Sequence, residues 1–385
     1  MRSAFLLALF GAVALAGGAC GSAEPDDETS DSASRPEWTR LPAPPEVSDN
    51  SIFVGAGDRL LLLGGCAHDY RGDGGCGRSR DGWSYAPGDE EWTATPAAPR
   101  GIGGAAVWTG EEVIITSFSA HRPTTGLAFE PGSGEWRELT SSTLRSGNVE
   151  AVWAGDRLIA WGGKARNGSG RVEGVAYDPE SDVWSGISMA PVSLNLFDLV
   201  WTGEEVIAFG SDLDRGNRSA TRTAVGASYS PATDTWDELP ASKLSPNATS
   251  ASWLDGRLMA YDYYPTRFQS YDPAADRRSR TEKLPFDSSE CYPVSIATDD
   301  LFVAFYCGQI ATYDPATGRW SRVDGGLTDR IHGSGRIEIP VWRFSQLAAL
   351  GETTYFLAEG VTFGKSGITQ YGFPESPHSF WALTQ

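Results

Sequence analysis

The side chains best equipped for chemistry in this chain are five cysteines and four histidines. The histidines, His68, His121, His332 and His378, lie far apart, and no two have the short spacing with which one element presents a pair of metal ligands. Asp69-x-x-x-Asp73-Gly-Gly75 offers oxygens of the kind calcium takes, but Asp beside Gly is first a turn signal. No metal and no cofactor is therefore expected. Four cysteines pair by spacing. Cys66 and Cys76 bracket a Gly-rich loop, while Cys291 and Cys307 flank two apolar runs that meet at Thr298-Asp299-Asp300, where a hairpin turn would set the sulfurs opposite each other. Closing loops of this length contributes roughly 3 kcal/mol in the chain-entropy model. The alternative is four buried free thiols, the less expected state outside the cytosol. Cys20 is left over.

That residue stands at the end of what reads as an export signal. Arg2 supplies the positive start, and Phe5 to Ala16 form an apolar stretch of the length such signals use. Leu15-Ala-Gly-Gly-Ala-Cys20 resembles a bacterial lipobox, in which Cys20 would be lipidated, although the family's usual Leu three residues before the Cys is here Gly17. Cleavage after Ala19 by ordinary signal peptidase is the alternative and would leave a secreted protein. Residues 21–36 (GSAEPDDETSDSASRP) are small, acidic and too poor in apolar groups to fold, as suits a tether. The expected organisation is a signal peptide over 1–20, a tether over 21–36 and one folded domain over 37–385, anchored to the cell membrane and facing outward.

The elements that carry these residues follow from a repeat. An aromatic, one residue, then Pro recurs as Tyr85-Ala-Pro87, Phe129-Glu-Pro131, Tyr177-Asp-Pro179, Tyr229-Ser-Pro231, Tyr271-Asp-Pro273 and Tyr313-Asp-Pro315. Seven residues after each aromatic stands Trp92, Trp136, Trp184, Trp236, Arg278 or Trp320. Between these units Ala106-Val-Trp108-Thr-Gly110, Ala151-Val-Trp153-Ala-Gly155 and Leu199-Val-Trp201-Thr-Gly203 read as strand, turn, strand. Ser252-Trp253-Leu-Asp255 follows the same plan, and weaker copies at Val54-Gly-Ala-Gly57, Asp299-Asp300-Leu and Leu350-Gly351-Glu bring the hairpins to seven.

Hairpin, double Gly (Gly64-Gly65, Gly162-Gly163), long loop, Tyr-x-Pro strand and Trp-bearing strand together resemble kelch repeats, of the galactose-oxidase-like kind, over residues 37 to about 373. The resemblance implies an all-β fold: a seven-bladed propeller with four antiparallel strands per blade, whose faces are buried by closing the ring. Its Trp and Tyr rings are then expected as core, and Arg278 in a Trp position predicts a looser blade. Tyr371 is followed at the same spacing by His378 rather than Trp, whereas Trp38 leads a Trp…Leu-Pro segment like those of Trp92 and Trp236. The N-terminal strand is therefore expected to supply the outer strand of the last blade, with the segment around Trp381 as the competitor.

A net charge of −19 excludes nucleic acid as a partner. The short turns are mostly acidic, and the longer second-to-third loops carry ten arginines with some acids among them. The resemblance places binding on the long-loop face around the axis, so the candidate ligand residues are Arg80, Trp83, His121, Arg122, Tyr263, Tyr264, Arg267, His332, Arg336 and Trp342. Copper radical oxidases with kelch units need a Tyr–Cys crosslink, a second Tyr and two His. The two cysteine pairings and Cys20 leave no thiol for that crosslink, so the oxidase activity is not carried over. The expected function is a non-catalytic cell-surface module that binds a glycan, anionic in keeping with the arginines, or a protein partner. The alternative is an extracellular carbohydrate-active hydrolase or lyase, which two carboxylates beside an Arg at the axial mouth would mark.

Overall fold

Each apolar run on either side of a Gly- or Asp-centred turn pairs with its neighbour, because alternation leaves one set of side chains on each face of the hairpin. In blade three, Glu150–Trp153 pairs with Leu158–Trp161, then come Gly174–Asp178 and Val183–Gly186. One row of residues crosses the sheet: Trp153 opposite Leu158, Leu158 opposite Tyr177, Tyr177 opposite Trp184. The same row recurs as Trp108, Val113, Phe129, Trp136 in blade two and Trp201, Val206, Tyr229, Trp236 in blade four.

The computed structural model describes residues 37–46, 51–67, 77–117, 125–142, 144, 149–162, 174–194, 196–211, 223–245, 249–262, 266–286, 294–306, 309–323, 346–358, 363–364, 367–368 and 379–384. The chain divides into residues 1–35, which lie outside that description, and a unit from Pro36 to Gln385. Every regular element described is a β-strand, and the strands form seven antiparallel blades, a β-propeller. The remaining first strands are Ile52–Ala56 in blade one, Ala105–Trp108 in two, Leu196–Trp201 in four, Thr249–Leu254 in five, Val294–Ala297 in six and Gln346–Leu350 in seven. Each first strand touches that of the next blade, and the seventh touches the first, so the seven surround the axis.

Ring closure uses both ends of the chain. Blade seven runs Gln346–Leu350, Thr353–Ala358, Ser379–Thr384 and finally Glu37–Leu41, which pairs Arg40 with Trp381. The N-terminal strand is thus the outer strand, as expected, and the Trp381 segment lies inside it as the third. At the closing junction the backbones of blades one and seven come so close that any side chain on Gly55 would collide with the Ala349 carbonyl.

The aromatic rows are core. Tyr85, Phe129, Tyr177, Tyr229 and Tyr271 are buried, and each of the first four lies 4.6–5.2 Å from the following Trp ring. The indole N–H of the same Trp reaches a carbonyl of the preceding blade: Trp92 to Pro42, Trp136 to Pro96, Trp184 to Thr140 and Trp236 to Ser188, at 2.8–2.9 Å. Blade five departs from this plan. Its outer strand splits into Arg277–Arg278 and Glu282–Lys283, with Tyr271 opposite Arg278 but Phe268 opposite Glu282, a register gain of one residue. Ile310 of blade six fills the corresponding place without a change of register, whereas Phe268 of blade five stands where other blades have Gly126, Gly174 and Gly226. At those glycines a side chain would strike Leu139, Ile187 or Leu239 of the adjoining outer edge.

The hairpin expected between Cys291 and Cys307 is present, with Ala297 opposite Phe302. Cys291 and Cys307 themselves, like Cys20 and Cys76, lie outside the described residues. Cys66 opens a two-residue strand and stands opposite Arg78.

Candidate functional site

The first strands carry two kinds of side chain, and their alternation sends them in opposite directions around the ring. The Trp points back. A methyl added to the turn glycine Gly57 would stand 3.5 Å from the Trp108 ring of the next blade, and one on Gly155 would stand 3.7 Å from Trp201. Three residues before each Trp stands Glu150 in blade three, Asp198 in four and Ser250 in five. An odd offset puts these side chains on the other face, toward the following blade.

The hydrogen bonds agree with this direction. Asp198 Oδ2 accepts the Ala251 amide of blade five at 2.7 Å, and the Ser250 hydroxyl also bonds its carboxylate. Ser250 and Ser295 of blade six share a hydrogen bond at 2.9 Å, and Ser252 shares one with Ser295 at 3.1 Å. Gln346 of blade seven donates from Nε2 to the Ser51 carbonyl just before blade one, at 2.7 Å. Polar groups of the first strands therefore link blade to blade around the axis.

Except for Ser252, these groups sit in the first half of their strands. Glu150 pairs with Trp161 at the end of its second strand, and Asp198 with Phe209 near the end of its own. That is the end of the ring from which the second-to-third connections leave, the face of the long connections. Glu150 is exposed to solvent and Asp198 half-buried. Burial pushes the Glu150 carboxyl up to about 7, and the charge of Asp198 pushes it the same way. Burial also lifts Asp198 to about 6, against the opposing pull of its bonds from Ala251 and Ser250. The arrangement sets carboxyl, hydroxyl and amide groups along one end of the ring.

The residues singled out from the sequence fall elsewhere. Trp83 is half-buried against the core shared by blades one and seven, which includes Leu60, Tyr355 and Phe380. Arg80 donates from Nε to the Ala98 carbonyl at 2.5 Å. Arg267 is clamped to Asp262, whose side chain is wholly buried, through Nη2 at 2.8 Å and its own amide at 2.7 Å. The structure does not bring these three together. His121, Arg122, Tyr263, Tyr264, His332, Arg336 and Trp342 lie outside the described residues. Among the described residues no three His, Cys, Asp or Glu gather as a metal site.

Sequence reasoning missed Glu150, Asp198 and Ser250. Their signal was the fixed offset from the strand-one Trp, visible once the hairpins are superposed on Trp153, Trp201 and Trp253. No family model and no curated protein matches this chain.

Proposed function

We propose that this propeller is a kelch-type, lipid-anchored module of the bacterial cell surface, galactose-oxidase-like in its repeat, that binds a polar ligand at the axial mouth on its long-connection face. The observation that carries this reading is the gathering of Glu150, Asp198, Ser250, Ser295 and Gln346 at that mouth while the Tyr and Trp rings are consumed in packing between blades. Hydroxyl, amide and carboxyl groups in a ring suit the hydroxyls of a glycan or the backbone of a protein loop. Anionic groups of such a ligand would be met further out, by long-loop arginines such as Arg122 and Arg336, where guanidinium forks pair with carboxylates. Lipidation at Cys20 and the bridges Cys66–Cys76 and Cys291–Cys307 belong to this reading.

The test is a glycan array probed with the purified protein, alongside labelling with palmitate. Label is expected on the wild type and not on Cys20→Ala. Arg122→Glu together with Arg336→Glu should weaken binding about tenfold or more and reduce its salt dependence, whereas Glu111→Lys, on the opposite face, should leave it unchanged. Equal losses from the two faces would count against a binding face.

The paired carboxylates favour a second reading, a carbohydrate-active hydrolase or lyase. A carboxyl protonated near pH 7 is suited to act as general acid beside an ionised neighbour. Turnover of a polysaccharide that vanishes in Glu150→Gln would establish it.

A further inference from the structure

We propose that Arg78 and Arg80 form a carboxylate-binding strip on the long-connection face, at the junction of blades one and two, that takes the acid groups of a uronate-bearing polysaccharide. The strip rests on the binding reading above and names its anionic subsite. Its frame is main chain. Ser79 donates its amide to the Gly65 carbonyl and accepts the Ile102 amide, both at 2.8 Å. The Arg80 carbonyl accepts the Ala98 amide at 2.9 Å, and the Asp81 carbonyl accepts that of Gly64 at 2.8 Å. The stem that carries the two arginines is thus tied both to its own hairpin and to the connection leading into the first strand of blade two. That connection fits closely: a side chain on Gly64 would collide with Ile102, and one on Gly101 with Arg78.

On this frame each guanidinium is aimed by one nitrogen and left open at the other two. Arg78 donates from Nη1 to the Gly103 carbonyl, at 3.1 Å, and to the Ser117 hydroxyl, which itself donates to Gly103. Its Nε and Nη2 remain, and Gly103 leaves room beside them: a methyl there would stand 3.3 Å from Nε. Arg80 donates from Nε to the Ala98 carbonyl at 2.5 Å, so Nη1 and Nη2 remain. Each remaining pair is the fork that binds a carboxylate with two parallel hydrogen bonds. Both side chains are exposed, and neither has a carboxylate partner among the described residues. The charges beside them are already matched, since Asp81 accepts the Ser79 hydroxyl at 2.9 Å and Arg100 stands 3.6 Å from Glu138. Arg59, Arg157 and Arg267, by contrast, each lie on a carboxylate at 2.8–2.9 Å. Gly103 stands just ahead of Ala105–Trp108, so Arg78 lies beside the axial mouth, with Arg80 further back along the same connection. Held by separate carbonyls, the two forks suit successive acid groups along a polymer rather than one small anion.

The experiment measures binding of the full-length protein to polygalacturonate, with dextran sulfate, polyglutamate and amylose for comparison. Wild type should prefer polygalacturonate to the other three and lose affinity as salt rises. Arg78→Gln and Arg80→Gln should each weaken that binding about tenfold. Arg78→Lys and Arg80→Lys keep the charge without the fork, so they should be as weak on polygalacturonate as the Gln variants yet bind dextran sulfate like wild type. Arg59→Gln, on the opposite face, should change nothing. Thermal unfolding is read alongside, and Arg80, with its single side-chain bond, keeps the test open if an Arg78 variant fails to fold. A wild type that binds another glycan on the array, with these variants unaffected, overturns the strip and leaves the binding reading standing; a wild type that binds no glycan overturns both. Lys variants equal to wild type on polygalacturonate would reduce the strip to unspecific charge attraction. A preference for polyglutamate would give the arginines to a protein partner and overturn the glycan.

Discussion

Arg278 shows at residue scale how one position accepts two chemistries. It stands where five other blades have Trp, and it copies that residue twice. Its Nε donates to the Pro240 carbonyl at 2.7 Å, as indole Nε1 does elsewhere, and its guanidinium lies over the Tyr271 ring at 5.0 Å and over Phe209 at 5.2 Å. The copy is incomplete, because Nη1 and Nη2 are buried with no hydrogen-bond partner. Burial lowers its pKa to about 10, the price of leaving two donors unsatisfied in a wedge built for an indole. Arg278→Trp is therefore expected to raise unfolding stability by about 1–3 kcal/mol, read from a shift in the denaturant midpoint at unchanged slope. No gain would mean that the wedge has already adapted to the guanidinium. A second residue-scale device was not evident from the repeat. Asp182 and Asp234 hold a left-handed backbone, φ 53 in both, and their carboxylates accept the hydroxyls of Tyr177 and Tyr229 while also capping Thr140 and Ser188 of the preceding blade. Glycine fills the same turn position at Gly134 and Gly318, where the conformation is needed without the bond.

At element scale the ring is sealed by Glu37–Leu41. This strand gives Ser379–Thr384 its outer partner, and Pro42, just beyond it, supplies the carbonyl that Trp92 of blade one needs. Phe380 then meets Tyr85 and Trp92 at 5.4 and 5.3 Å, so the first and last blades share one aromatic cluster. Deleting residues 37–41 would leave Ser379–Thr384 as a bare edge and Trp92 without its acceptor. The expected outcome is a loss of a large part of the stability, about 3 kcal/mol or more, with aggregation seen by light scattering at temperatures where the intact chain stays clear. A truncated chain that melts like the full one would show that closure rests on the inner strands alone.

For the whole molecule, the charge is sorted by face. Every first-to-second turn carries an acid: Asp58, Glu111, Asp156, Glu204, Asp255, Asp299 and Glu352. Local partners neutralise some of it, as Arg59 does Asp58 at 2.9 Å and Arg157 does Asp156 at 2.8 Å, but these pairs are exposed and contribute little. A chain with net charge −19 repels itself across that face. Raising salt from about 10 to about 150 mM shortens the screening length from about 30 to about 8 Å, so the unfolding temperature should rise over that range and then level off. A flat response would mean that the ion pairs already balance the turns.

The blade count, the hairpins, the aromatic rows and the N-terminal closing strand were legible in the sequence, because each rests on a local rule: alternation makes strands, Gly and Asp make turns, and a fourth strand must come from somewhere to complete a blade. Tertiary structure decided the rest. Glu150 and Asp198 are separated by a whole blade of chain and become neighbours only because consecutive first strands touch around the axis. Trp83 and Arg267 looked available for a ligand, yet packing and a buried carboxylate claim them. A repeat determines what each blade presents to the next; which of those groups meet, and whether they meet charged or neutral, follows from closure of the ring and the loss of water around it.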